Sequence, residues 1–128
     1  MNNKIQYIGK LNKVKIGEYA DIISTDEVIL TDERKKHIYK DHTKDYSRIM
    51  DNIQNTVINP DEVIEDKKNK DTLFFIKKLK SDNLNVVVKL NTTNSKEHPK
   101  NSIMTAWIIR NINLKKLREK FKCIYKSE

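Results

Sequence analysis

The sequence predicts an α+β fold in which N-terminal helices pack on a small antiparallel β-meander and a further helix closes the chain. Three observations carry that prediction. A capped stretch and then an amphipathic one occupy residues 31–57, apolar β-branched runs separated by a turn follow from Asp71, and leucines return at helical spacing after Asn111. With 128 residues, 37% of them apolar and 34% charged, the chain is expected to form a single domain over residues 1–128 with a small core.

The elements are expected in this order. Residues 4–8, 14–16 and 27–30 are short β-like runs. Thr31 is placed to cap a helix, with Asp32 and Glu33 in the first turn where negative charge suits the helix dipole, so a helix is predicted to about His42. That stretch, TDERKKHIYKDH, offers only Ile38 and Tyr39 to a core. In the next helix Tyr46, Ile49, Met50, Ile53 and Val57 form a core-facing stripe that stops at Asn59-Pro60. Residues 61–66, DEVIED, are expected as an acidic connection. TLFFIKKL, the turn SDNL and NVVVKLNT read as a hairpin, a polar loop covers 93–101, and SIMTAWIIR reads as a further strand. Leu114, Leu117, Phe121 and Ile124 continue as an amphipathic helix that also carries Cys123, expected as a semi-buried thiol.

Composition excludes several classes of function. One cysteine cannot staple the chain, and two glycines cannot build a glycine-rich phosphate cradle. No apolar run approaches the roughly 20 residues that a bilayer crossing needs, so no membrane role is expected and a reducing, cytoplasmic setting is. The net charge of +8 favours a polyanionic partner, nucleic acid first. The surplus is not uniform: residues 67–100 hold nine lysines against Asp71, Asp82 and Glu97, a net of +6, whereas residues 1–66, with ten basic against thirteen acidic side chains, carry none of it.

Chemistry is sought where the pattern breaks. Arg34, His37 and Asp41 share a face of the first helix. Histidine can take and return a proton near neutral pH, arginine can hold a phosphate and a carboxylate can orient the ring; the alternative is a solvated lysine-rich surface. His42 converges with His37 only if the helix ends or bends near Asp41. HIYKDH lacks the spacing and further ligands of a zinc site, so neither metal nor cofactor is expected, and His98 reads as a surface residue. Lys89 interrupts an apolar strand on the face of Val87 and Asn91, as a solvent-facing lysine or a functional one. Thr105 and Trp107 share a face with Ile103 and Ile109; the indole is either core or a platform for a base. Arg110, at the strand's end, joins Arg34 and Trp107 as a candidate RNA contact. These groups suit metal-independent RNA cleavage by 2′-hydroxyl attack; non-catalytic binding of RNA or DNA is the alternative.

The order VILTDERKKHIYKDH, PDEVIEDK, VVVKL and TAW, spanning about residues 28–113, resembles the phage-associated branch of the BECR nucleases, named for barnase, EndoU, colicin-type and RelE nucleases. The resemblance implies helices packed on an antiparallel meander and an endoribonuclease of toxin or mobile-element type. It implies that Arg34, His37 and His42 match the family's helix positions, Lys89 its strand lysine, and Thr105 with Trp107 its hydroxyl-x-aromatic pattern. It also implies RNA as the partner, either tRNA, mRNA or rRNA, and an acidic antitoxin or immunity protein.

Overall fold

The computed structural model describes residues 4–92 and 100–127, and in it one seven-stranded mixed sheet carries helices on both faces. Strand β1 (Ile5–Lys10) pairs antiparallel with β2 (Glu27–Thr31), and helices α1 (Asp32–Asp41) and α2 (Tyr46–Ile58) follow. Then come β3 (Glu62–Asp66), β4 (Thr72–Lys78), β5 (Asn83–Lys89), β6 (Asn101–Ile109), α3 (Asn111–Lys120) and β7 (Cys123–Lys126). The spatial order is β1-β2-β6-β5-β4-β3-β7, with β2 parallel to β6. Residues 93–99, which include His98 and most of the expected polar loop, lie outside the described residues.

Alternation along the strands builds two cores. Leu84, Val86 and Val88 of β5 and Leu73 and Phe75 of β4 face α2, where Ile49, Ile53 and Val57 meet them. Val87, Phe74 and Ile76 face the other way, towards Leu114, Leu117 and Phe121. A strand covered on both faces has no polar side to show, which is why these segments read as continuous apolar runs.

Helix α1 begins without a loop. Thr31 accepts a hydrogen bond from the Arg34 amide at 3.2 Å, and Ile38 is the one buried side chain of the helix. β2 pairs with β6 at Val28–Asn101 and Ile29–Ser102, after which the chain turns into α1, which packs along β6. A helix that flanks one strand needs little apolar face, and this accounts for its charged composition.

Several expectations are corrected. The sheet is larger than a small antiparallel meander, and mixed. Residues 14–16 form no strand: Lys13–Lys15 is a single 3-10 turn in which the Asn12 side chain accepts from the Val14 amide at 3.1 Å. The acidic segment 61–66 is no connection but strand β3, paired with both β4 and β7, and its buried Glu62 is neutralised by Arg118 at 2.7 and 2.5 Å. The last helix stops at Lys120, because Phe121 adopts an extended backbone; Ile124 and an exposed Cys123 therefore belong to β7. A bulge at Met104, between the pairs Val87–Thr105 and Val88–Ile103, turns Ile103 to the α2 side with Ala106, while Thr105, Trp107 and Ile109 stay on the other face. No helix among the described residues is long and apolar enough to cross a membrane.

Candidate active site

Helix geometry brings His37 to Asp41. Four residues apart on α1, they place His37 Nε2 3.2 Å from Asp41 Oδ2, with both side chains nearly half exposed at 44% and 45%. The carboxylate fixes the ring's orientation, and exposure leaves the ring open to an incoming ligand. Arg34 sits one turn earlier, partly buried. An imidazole so placed can carry a proton, and the carboxylate beside it can orient the ring.

The helix ends where convergence of the two histidines requires. His42 leaves helical geometry at φ −135° while its amide still donates to the Ile38 carbonyl at 2.9 Å. Its ring, however, goes to Trp107, with centroids 6.4 Å apart and planes 27° from parallel. Among the described contacts none joins His42 to His37.

Lys89, Thr105 and Trp107 share the sheet face opposite α2. Thr105 stands across from Val87, Trp107 from Asn85 and Lys89 from Ser102, so Lys89 lies about 13 Å along the strand from the Trp107 level. The Lys89 ammonium donates to the Lys70 carbonyl at 2.7 Å, in the lysine-rich turn between β3 and β4. That turn is held by its own chemistry. Asp66 accepts from the Lys68 amide at 2.9 Å and from Asn69 Nδ2 at 2.8 Å, and Asp71 takes a left-handed φ of 57°. Lys68 and Lys120, from the turn and the end of α3, lie close enough for the Lys68 ammonium to push Lys120 below the usual lysine range. Arg110 is exposed where β6 passes into α3.

Two site features were not foreseen from the sequence. Asn85 is fully buried with neither amide atom hydrogen-bonded among the described residues, and Lys70 anchors Lys89 by its backbone. An asparagine in the run NLNVVVK is a visible signal; a carbonyl partner leaves none. No three His, Cys, Asp or Glu side chains converge among the described residues as a metal-ligand set would.

The model of the phage-Barnase-EndoU-ColicinE5/D-RelE like nuclease 2 family matches residues 6–126. The chain belongs to this family. The match extends beyond the 28–113 core of the sequence resemblance, to β1 at one end and β7 at the other. No curated protein and no solved structure matches the chain. A nuclease domain thus has an accessible histidine–carboxylate pair on α1 and a hydroxyl, an indole and an ammonium on one sheet face.

Proposed function

We propose that this nuclease domain is a metal-independent endoribonuclease. The 2′-hydroxyl of a single-stranded RNA gives its proton to His37 and attacks the adjacent phosphorus, and the bond to the 5′-oxygen breaks. The products are a 2′,3′-cyclic phosphate and a 5′-hydroxyl, the latter taking up the proton that His37 accepted. One histidine that returns what it takes closes the proton balance.

The observation that carries this reading is the His37–Asp41 pair, exposed on α1 in a chain of a nuclease family. Asp41 orients the ring. Lys89 and Thr105 stabilise the charge that grows on the phosphate oxygens, and Lys89 has donors to spare after its bond to Lys70. Arg34 and Arg110 add cations along the backbone. Trp107 stacks a base, and His42, held against it, serves binding rather than acting as a second proton carrier. The lysines of the β3–β4 turn and of the β4–β5 hairpin form the basic rim, and an acidic inhibitor protein is the partner such a surface calls for.

The test is digestion of total RNA in EDTA by the wild type, His37→Ala and His42→Ala, with chemical analysis of the new ends. Cyclic phosphate ends from the wild type and none from His37→Ala are expected. Equal cutting of DNA, an absolute metal requirement or full activity in His37→Ala overturns the reading. RNA or DNA binding without any cleavage points instead to a non-catalytic binding protein.

A further inference from the structure

Asn85 stands in the middle of β5, between Ile76 on β4 and Trp107 on β6, and is fully buried. Among the described residues neither its Oδ1 nor its Nδ2 has a hydrogen-bond partner. The other buried asparagines are better placed, Asn91 leaving only its Oδ1 unpaired among the described residues while its Nδ2 donates to Ser24. Asn83 donates to the Ile109 carbonyl at 3.1 Å and to Asn111 at 2.8 Å, and Asn101 serves Thr25, Glu27 and Asn91. An unsatisfied buried carboxamide costs stability, and the adjoining Val86, Val87 and Val88 show what strand packing alone selects. A local rule broken at the centre of a sheet is a place to look for function.

The surroundings indicate which function. Asn85 and Trp107 face each other on the sheet side that also carries Thr105 and Lys89, and the Trp107 ring lies nearly parallel to that of His42 at 6.4 Å. The two rings are set face to face, the arrangement in which a flat base is stacked, and a base between them requires the rings to part. His42 caps the C-terminal end of α1 and is partly exposed. Aromatic faces bind any base, whereas a carboxamide, with donor and acceptor side by side, distinguishes one base edge from another.

We infer that Asn85, Trp107 and His42 form a base-recognition site for a single unstacked RNA base, which enters between the two rings and meets the Asn85 carboxamide with its edge as the indole shifts aside. Asn85 is thus a specificity-determining residue. The inference rests on the ribonuclease reading for its ligand, and its test is separable from catalysis. Trp107 is the only tryptophan, so its fluorescence reports the site directly. Short 2′-O-methylated RNAs, which cannot be cut by 2′-hydroxyl attack, are titrated in four versions that differ in one central base.

The wild type is expected to show quenching with Kd values differing by about tenfold or more between the best and worst base. Asn85→Leu and Asn85→Ser keep the quenching but flatten that difference to about threefold or less, and Asn85→Leu melts at or above the wild-type temperature. His42→Ala weakens all four RNAs by a similar factor. A wild type without base preference, a wild-type ranking in either folded variant, or failure of both variants to fold overturns the assignment, the last by showing a structural amide. Base-selective binding without cleavage of ordinary RNA sinks the ribonuclease reading alone; cleavage with a ranking independent of Asn85 sinks this site alone.

Discussion

The Lys89 ammonium is hydrogen-bonded to the Lys70 carbonyl at 2.7 Å, so the strand lysine of the candidate site also clasps the turn between β3 and β4. The same carbonyl accepts from the Thr72 hydroxyl at 3.1 Å, which keeps the turn together when Lys89 is lost. Lys89→Ala is therefore expected to lower the RNA cleavage rate by about 10²-fold or more, the scale of removing one charge-stabilising donor. Its stability falls by only about 1 kcal/mol. Initial rates and urea unfolding of the same preparation separate the two effects, and Lys89→Arg recovers part of the rate. Unchanged cleavage assigns Lys89 to the turn alone.

Asp41 acts on His37 across 3.2 Å of partly solvated space. Water replaces much of what an exposed carboxylate supplies, so Asp41→Asn is expected to slow cleavage by roughly tenfold, against about 10²- to 10⁴-fold for His37→Ala. In the double variant the Asp41 effect disappears, because there is no ring left to orient. Rates measured over the four-member cycle decide it; additive losses would show that Asp41 contacts the substrate independently.

The His37–Asp41 pair was legible in the sequence because it depends on local geometry alone: a Thr31 cap, an i, i+4 spacing and a helix end. The α2 stripe and the β4–β5 hairpin were legible for the same reason. What long-range contacts decide was not. Residues 61–66 read as an acidic connection because Glu62 finds Arg118 only 56 positions later, and only then can it lie in a buried strand. Ile103 lies on the face opposite to the one alternation predicts because a bulge at Met104 shifts the register by one residue, which the sequence pattern does not show. Asn85 shows in the sequence as a polar break in NLNVVVK, but its lack of partners among the described residues is a property of the packed sheet.

Arg118 fixes α3 to the sheet by a two-pronged contact with Glu62, which is only 5% exposed. Truncation leaves a buried carboxylate without its counter-charge, a loss that ranges to about 3–5 kcal/mol for fully buried pairs. The Arg118 side chain is 36% exposed, so Arg118→Ala is expected to destabilise by roughly 2 kcal/mol. Adding Glu62→Gln to that variant recovers part of the loss by removing the orphaned charge. Denaturant midpoints of the single and double variants measure both, and a single-variant loss below about 0.5 kcal/mol contradicts the role of the pair.

Tyr19 donates its hydroxyl to Glu65 at 2.6 Å and ties the segment before β2 to β3. Burial, with the adjacent Glu65 carboxylate, pushes the phenol well above the ordinary tyrosine value. In the folded chain Tyr19 therefore holds its proton at a pH where the unfolded chain has lost it. The folded state binds more protons, so this group's contribution is fully present below pH ~10 and is lost as pH rises from there through the folded value. Tyr19→Phe removes that contribution, together with about 1 kcal/mol of hydrogen bonding at neutral pH. Unfolding free energies measured from pH 7 upwards are expected to fall less steeply in Tyr19→Phe than in the wild type above pH ~10. Parallel curves across that window would show that the phenol titrates alike in the folded and unfolded chain.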